Sequence, residues 1–299
     1  SREFVQNAFG SYLSPVVVEQ IIENPEMVQE RGGEERVMTA LFSDIANFST
    51  ISETLTPNEL VDFINLYLTE MCEIIERHGG TIDKFEGDAV VAFFGAPIYF
   101  EDHASRAVLA CIEQQQRISA LRKEWKASGA LPTKLRRMAD RWATEEKTFM
   151  HVRMGLASGP MVVGNMGSKT RADYTMMGDT VNLASRLEGL QKYYGTSIAI
   201  NDGIYEKVDG EIEARKLDDV QVVGKMESVA VYEVLGSRGS LKGNEQASLA
   251  LYQEGLSAYA EYRFSTARYM FEEALRLNPN DGPASVYAKR CYKYEKEPP

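Results

Sequence analysis

Apolar residues recur along this chain at two spacings, and the places where the spacing changes mark its elements. Between Arg36 and Ser43 they alternate, which predicts a strand that stops at Asp44. After Thr56 the spacing turns helical: Leu60, Phe63, Ile64, Tyr67, Leu68, Met71, Ile74 and Ile75 form one stripe. Thr56 supplies the cap, Pro57 the first position and Glu59 a capping box, and Gly79-Gly80 ends the helix. The run "TIDKFEGDAVVAFFG" reads as two strands joined by a tight turn around Gly87. A long helix from about Asp102 to Trp125 follows, with Ala107, Val108, Cys111, Ile112 and Ile118 inward. Strand-like "HVRMGLAS" resumes at His151, leading through Gly159-Pro160 into "MVVGNMGS". A helix over Thr180–Lys192, a short strand over Thr196–Ile200, and strands near 211–217 and 228–235 complete the pattern. Helices and strands mix without strict βαβ repetition. The expected class is α+β, a sandwich with a largely antiparallel sheet.

The flanks differ in character. Residues 1–31 read as a helical lead-in: Phe4, Ala8, Tyr12 and Leu13 share a stripe, and Ser14-Pro15 opens a second short helix. Gly32-Gly33 is expected to end that segment, with "GGEER" as a turn before the first strand. Residues 128–149, rich in Lys and Arg, look like a basic insertion and are expected to form a solvated surface excursion. From about 245 the chain becomes helical, and Gly255, Ala267, Phe271, Ala274 and Pro279 fit the spacing of a tetratricopeptide repeat. One repeat plus a helix over Pro283–Tyr294 is too little for an independent solenoid, so this tail either packs on a neighbour or is a truncated array. The expected parts are a lead-in over 1–31, a main domain over 32–237 and a helical tail over 245–299.

Composition narrows the function. A net charge of −11 argues against nucleic acid as a partner, because phosphate binding wants a basic surface. Cys72, Cys111 and Cys291 are scattered, with no zinc or disulfide spacing, which fits a reducing cytoplasmic compartment. His78, His103 and His151 are too dispersed for a histidine-rich metal site. The longest apolar stretch, Ala89 to Phe100, is broken by Gly95 and Pro97 and cannot span a bilayer. The sequence starts at Ser1 rather than Met, which leaves room for an upstream membrane or sensor domain in the full-length protein.

Three segments carry candidate chemistry. "FSDIANFS" places Asp44 at a strand end, and "KFEGDAVVAFFGAP" places Asp88 just after a glycine turn. An aspartate in a turn is ordinarily a local cap. Two of them at loop tips, however, suit magnesium, which takes few protein carboxylates and completes its shell with substrate phosphates. In "DYTMMGDTVNLASRLE", Asn182 and Arg186 lie four apart on one helical face. Such a pair is usually just an exposed face, but Gly178-Asp179 leads tightly into a helix carrying Asn, Ser and Arg together.

In this order and spacing, the three segments resemble the class III nucleotidyl cyclase catalytic domain, over roughly Glu35 to Leu235. The resemblance implies a ferredoxin-like sandwich and an adenylyl cyclase that makes cyclic AMP from ATP at sites shared across a homodimer. It implies that Asp44, Asp88 and the Ile45 carbonyl hold two Mg²⁺ (or Mn²⁺) per site. Lys84 and Thr175 would read adenine, Asn182 would orient the ribose, and Arg186 would steady the phosphate in the transition state. Lys84 can donate to adenine N1 and the Thr175 hydroxyl can accept from the N6 amine, whereas guanine would set its N1–H against Lys84.

Two departures from the family pattern matter. Many relatives carry Asp at the Thr175 position; Thr there, with "FGAP" followed by "DHASRAV", resembles the branch that includes bicarbonate-responsive cyclases and implies bicarbonate as a regulator. Where the family often has Lys-Gly-Lys, this chain has Val223-Gly224-Lys225, so the contact to the terminal phosphates falls to Lys225 or another cation. The competing readings are a guanylyl cyclase, opposed by Lys84; a degenerate module that only binds nucleotide, opposed by the full set Asp44, Asp88, Asn182 and Arg186; and a scaffold built on the short tail, whose partner the sequence leaves unknown.

Overall fold

The computed structural model describes Glu3 and residues 15–28, 32–223 and 226–299. The Phe4–Leu13 stripe, the Ser14 cap and Lys225 lie outside the described residues. In chain order the elements are α1 (Pro15–Glu23), a 3-10 turn (Pro25–Val28), β1 (Gly32–Ile45), α2 (Phe48–Thr54), α3 (Pro57–Arg77), β2 (Thr81–Glu86), β3 (Ala89–Phe94), α4 (His103–Ser128), α5 (Thr133–Thr144), β4 (Val152–Gly167) and β5 (Ala172–Met177). There follow α6 (Asp179–Tyr194), β6 (Ile198–Asn201), α7 (Asp202–Val208), a second 3-10 turn (Asp209–Glu211), β7 (Ile212–Gln221), β8 (Ser228–Ser237), α8 (Asn244–Ala260), α9 (Phe264–Leu277) and α10 (Gly282–Lys296). No helix among the described residues is long and apolar enough to cross a membrane.

The locally coded features form as their residues dictate. Thr56 Oγ1 accepts from the Glu59 N–H at 3.3 Å while the Glu59 carboxylate accepts from the Thr56 N–H at 2.9 Å, so the capping box that starts α3 is complete. Gly87, at φ 64°, turns β2 into β3 in a backbone region that favours glycine. The sheet runs β2-β3-β1-β4-β6-β8-β7, with β5 paired to the far end of β4. Among the described residues only β4 and β6 pair in parallel, and every other ladder is antiparallel. One face packs on α3 and α4 through residues such as Tyr67, Met71, Ile75 and Cys111, and the other on α6 through Val181, Ala184 and Leu187.

Two expectations fail for identifiable reasons. Gly32-Gly33 is not a turn but the start of β1, pairing with Asn165 and Gly164. A Cβ on Gly33 would sit 2.4 Å from Val162 Cγ1, and one on Gly164 would sit 2.3 Å from the Gly32 carbonyl oxygen. These glycines mark close backbone approach within a sheet rather than chain reversal. Residues 128–149 are not a solvated excursion either. They contain α5, and Leu131, Leu135, Met138, Trp142 and Phe149 are all buried in the main core. The apolar positions of this segment keep helical spacing, but its lysines and arginines obscure them. In this way α5 packs against α2, the helix that leaves the end of β1.

The C-terminal helices dock on the sheet domain. β7 carries a bulge at Leu217: Lys216 pairs with Tyr232 and Asp218 with Val231. The tail takes up the carbonyls there, with the Tyr252 hydroxyl donating to Lys216 at 2.8 Å and the Tyr287 hydroxyl to Leu217 at 2.5 Å. Arg215, 6% exposed, donates to both oxygens of Asp281 at 2.7 and 3.0 Å and to Glu233 at 2.6 Å. Asp281 also caps α10 by accepting from the Ala284 N–H. Replacing Asp281 by Ala leaves a buried guanidinium with one partner and α10 without its cap. The expected cost is about 3–5 kcal/mol in denaturant unfolding, with Asp281→Asn losing less because it keeps the cap. A loss below about 0.5 kcal/mol for Asp281→Ala would show that this pair does not secure the tail.

Candidate active site

The long antiparallel pairing of β1 with β4 sets Asp44 directly opposite Arg153. Arg153 is buried, and its guanidinium donates to Asp44 Oδ1 from two nitrogens at 3.0 and 3.2 Å. The same guanidinium lies 3.2 Å from Glu188 Oε1 on α6. Asp88 follows the Gly87 turn, and its Oδ2 accepts the Ile45 N–H at 2.7 Å, tying the turn to the end of β1. Asp44, Ile45, Asn47, Asp88, Arg153 and Lys192 are among the residues lining a cleft of about 790 Å³.

The electrostatics of this cleft are strained towards the acidic side. Burial holds the Asp88 carboxyl above its usual range, opposed by the Ile45 N–H, while the neighbouring Asp44 charge adds to the rise. Glu188 is pushed up to about 8 by burial and by its hydrogen bond with, and the charge of, Asp44, against the pull of Arg153. Glu188 Oε1 is buried without an aligned hydrogen bond, so its contact to Arg153 is an ion pair only. Asp44 and Asp88 are therefore not free loop-tip carboxylates: Asp44 is a strand residue with a side chain 28% exposed, and both have partners.

No group of three or more His, Cys, Asp or Glu side chains suited to a metal converges among the described residues. Two carboxylates lining one cleft instead offer oxygen donors suited to a hard cation that completes its shell with phosphate oxygens. The Asp88 carboxyl, raised by burial and by the neighbouring Asp44 charge, is a group that such a cation would relieve. Arg153 and Glu188 escaped the sequence reading, although a charge within the apolar run "HVRMGLAS" signals a buried group that must find partners across the fold.

Lys84 and Thr175 meet elsewhere, through a residue the sequence reading passed over. The Thr175 hydroxyl donates to Asp83 Oδ2 at 2.6 Å, and Lys84 Nζ lies 3.9 Å from Asp83 Oδ1. A bulge makes this possible. Ile82 pairs with Ala92 but Lys84 pairs with Val91, so Asp83 is the extra residue and the alternation of β2 flips there. Lys84 thus takes the face of Val91, on which β5 also packs through Met176 and Tyr174. Asn182 and Arg186 are both exposed on α6, and Arg186 donates to the Gln221 carbonyl at the end of β7. None of Lys84, Thr175, Asn182 and Arg186 lines the Asp44–Asp88 cleft. The structure brings Asp44, Ile45 and Asp88 together, and separately Lys84 and Thr175.

Comparison with known proteins places this geometry. The family model described as "Adenylate and Guanylate cyclase catalytic domain" matches residues 33–236. The chain is 33% identical over 242 residues to adenylate cyclase 1 of Rhizobium meliloti, covering 81% of this chain but 34% of that protein, so it spans about a third of that relative's length. Among solved structures it is similar to the adenylyl cyclase CyaB from P. aeruginosa, at 35% identity and a TM-score of 0.59, covering 71% of this chain and 100% of that one. It is also similar to the guanylyl cyclase Cya2, at 31% identity and a TM-score of 0.55, covering 71% and 98%. With its α+β fold, mostly antiparallel sheet and C-terminal helices, the chain belongs to the class III adenylate and guanylate cyclase catalytic domain family.

Proposed function

We propose that this domain converts ATP to 3′,5′-cyclic AMP and pyrophosphate in pockets formed between two copies of the chain. One observation carries the reading: Asp44 and Asp88 face one cleft, while Lys84 and Thr175 converge outside it. Two such halves become whole pockets when a two-fold axis sets unlike edges together, and one dimer then holds two identical sites. The catalytic unit is taken as 32–237, followed by the tetratricopeptide-like tail over 245–299.

Each side chain has a task that follows from its chemistry. Asp44, Asp88 and the Ile45 carbonyl would hold divalent cations, two Mg²⁺ or Mn²⁺ per site, which when bound lower the pKa of the ribose 3′-hydroxyl and neutralise phosphate charge. Arg153 fixes Asp44 in place and adds a permanent positive charge to the cleft wall. Lys84 donates to adenine N1, and Thr175 accepts from the N6 amine. Asn182 orients the ribose. Arg186 releases the Gln221 carbonyl and presents its fork to the phosphate as negative charge builds. Lys225 contacts the terminal phosphates. Bicarbonate activation goes with the Thr175 reading; a flat response to bicarbonate at fixed pH and ionic strength removes it.

Purified protein with Mg²⁺ or Mn²⁺ should form cyclic AMP from ATP and prefer ATP to GTP. Asp88→Asn, which keeps shape while removing charge, should lower kcat by about 100-fold or more with little change in thermal stability. Lys84→Glu should cost ATP turnover, because a carboxylate would face the adenine N1 acceptor. Full ATP preference in Lys84→Glu would remove Lys84 from base reading, and near-normal turnover in Asp88→Asn would remove the cation role. A folded protein that binds ATP without turnover would leave a nucleotide-binding module in place of an enzyme.

A further inference from the structure

Asp83 has no part in the reading so far, yet its environment is built with care. Its side chain is 2% exposed, on a strand at the edge of the sheet where a carboxylate has ready access to water if it simply turns outward. Instead it accepts the Thr175 hydroxyl at 2.6 Å, accepts the Met176 N–H, and faces Lys84 Nζ at 3.9 Å. Burying a carboxylate is costly, and here the hydrogen bonds and Lys84 offset only part of that cost, since burial still holds the Asp83 carboxyl above its usual range.

The consequence lies in the direction of one proton. A threonine hydroxyl can donate or accept towards a ligand, and left free it would suit either a 6-amino or a 6-oxo purine. A carboxylate can only accept, so Asp83 commits the Thr175 proton to itself. The Thr175 oxygen then has only lone pairs left to offer outward. We propose that Asp83 is a positioning residue for base selection: by fixing Thr175 as an acceptor and holding Lys84 beside it, it makes the pocket select a 6-aminopurine nucleotide over a 6-oxopurine one. This rests on Lys84 and Thr175 facing the purine, and it adds a residue that never touches the purine. The bulge in β2 belongs to the same device, because it places Asp83 between the two side chains that it orients.

Replacing Asp83 by Asn reverses the device with little change in shape. The new amide has one carbonyl for two donors that cannot turn round, Lys84 and the Met176 N–H; with that carbonyl at the Oδ1 position facing Lys84, the NH₂ faces Thr175. Thr175 must then accept from the amide and turn its own proton towards the purine, where it meets the N6 amine as donor against donor.

The test compares kcat/KM for ATP, purine riboside 5′-triphosphate (which lacks the 6-amino group) and GTP in each preparation. A ratio within one preparation does not depend on the fraction folded. The parent protein should prefer ATP to purine riboside triphosphate by about tenfold, the worth of one hydrogen bond. In Asp83→Asn that ratio should fall to within about twofold of unity, with the GTP-to-ATP ratio rising. Asp83→Ala, which frees the proton without reversing it, should fall between the two and serves if Asp83→Asn does not fold. A purely structural Asp83 would lower all three substrates together and leave the ratios unchanged, which overturns the proposal. Thr175→Val separates the two levels of inference. If Thr175→Val collapses the ATP preference while the Asp83 variants retain it, Thr175 reads the base and Asp83 does not position it. If Thr175→Val keeps the preference, the base-reading assignment fails and the Asp83 proposal fails with it.

Discussion

The register between β1 and β4 is the constraint on which the site depends. Fourteen residue pairs run from Gly32 opposite Asn165 to Ile45 opposite Val152, and the penultimate pair sets Asp44 against Arg153. A shift by one residue would move Asp44 to the other face and leave a buried guanidinium without its carboxylate. Gly33 and Gly164 help hold that register, because a side chain at either would strike the opposite strand. The close approach at the far end of the pairing thus serves the chemistry at the near end, and Ile45 passes it on to the Gly87 turn by donating to Asp88.

How much could be read in advance follows from the range of each interaction. The α3 capping box, the Gly87 turn and the inward stripe of α4 involve partners within a few residues, and all were legible. So were Asp44, Asp88, Lys84, Thr175, Asn182 and Arg186 as candidates, because their three segments resemble a known family. Arg153, Glu188 and Asp83 were not. Their meaning comes from partners 109, 35 and 92 residues away, through strand register, a helix packed on the sheet and a bulge. The same applies to α5, where charged residues hide a stripe whose burial depends on the core it meets. Gly32-Gly33 misled in the opposite sense, since glycine allows both a turn and close contact between strands, and only the partner strand decides.

Charge differs between the two halves that the proposal assigns to one pocket. The cleft lined by Asp44 and Asp88 also carries Arg153 and Lys192, with Glu188 held behind Arg153, whereas the Lys84–Thr175 side has one buried carboxylate, Asp83, which accepts from Thr175 and is still raised by burial. The tail adds a second link: it grips β7 at Lys216 and Leu217, a few residues before Gln221, whose carbonyl holds Arg186. The strand that anchors the helices therefore also carries the resting partner of a residue assigned to the transition state.

The central claim is that each pocket is built from two chains, and mixing two inactive variants tests it most directly. Asp44→Asn removes the cation half and Arg186→Ala the phosphate half, so each homodimer alone should be inactive or nearly so. In a mixed dimer one pocket collects both lesions and the other collects none. With random exchange about half the dimers are mixed, so about a quarter of parental cyclic AMP formation should return. If subunit exchange is demonstrated independently and no activity returns, every pocket has kept a lesion and each site is contained within a single chain.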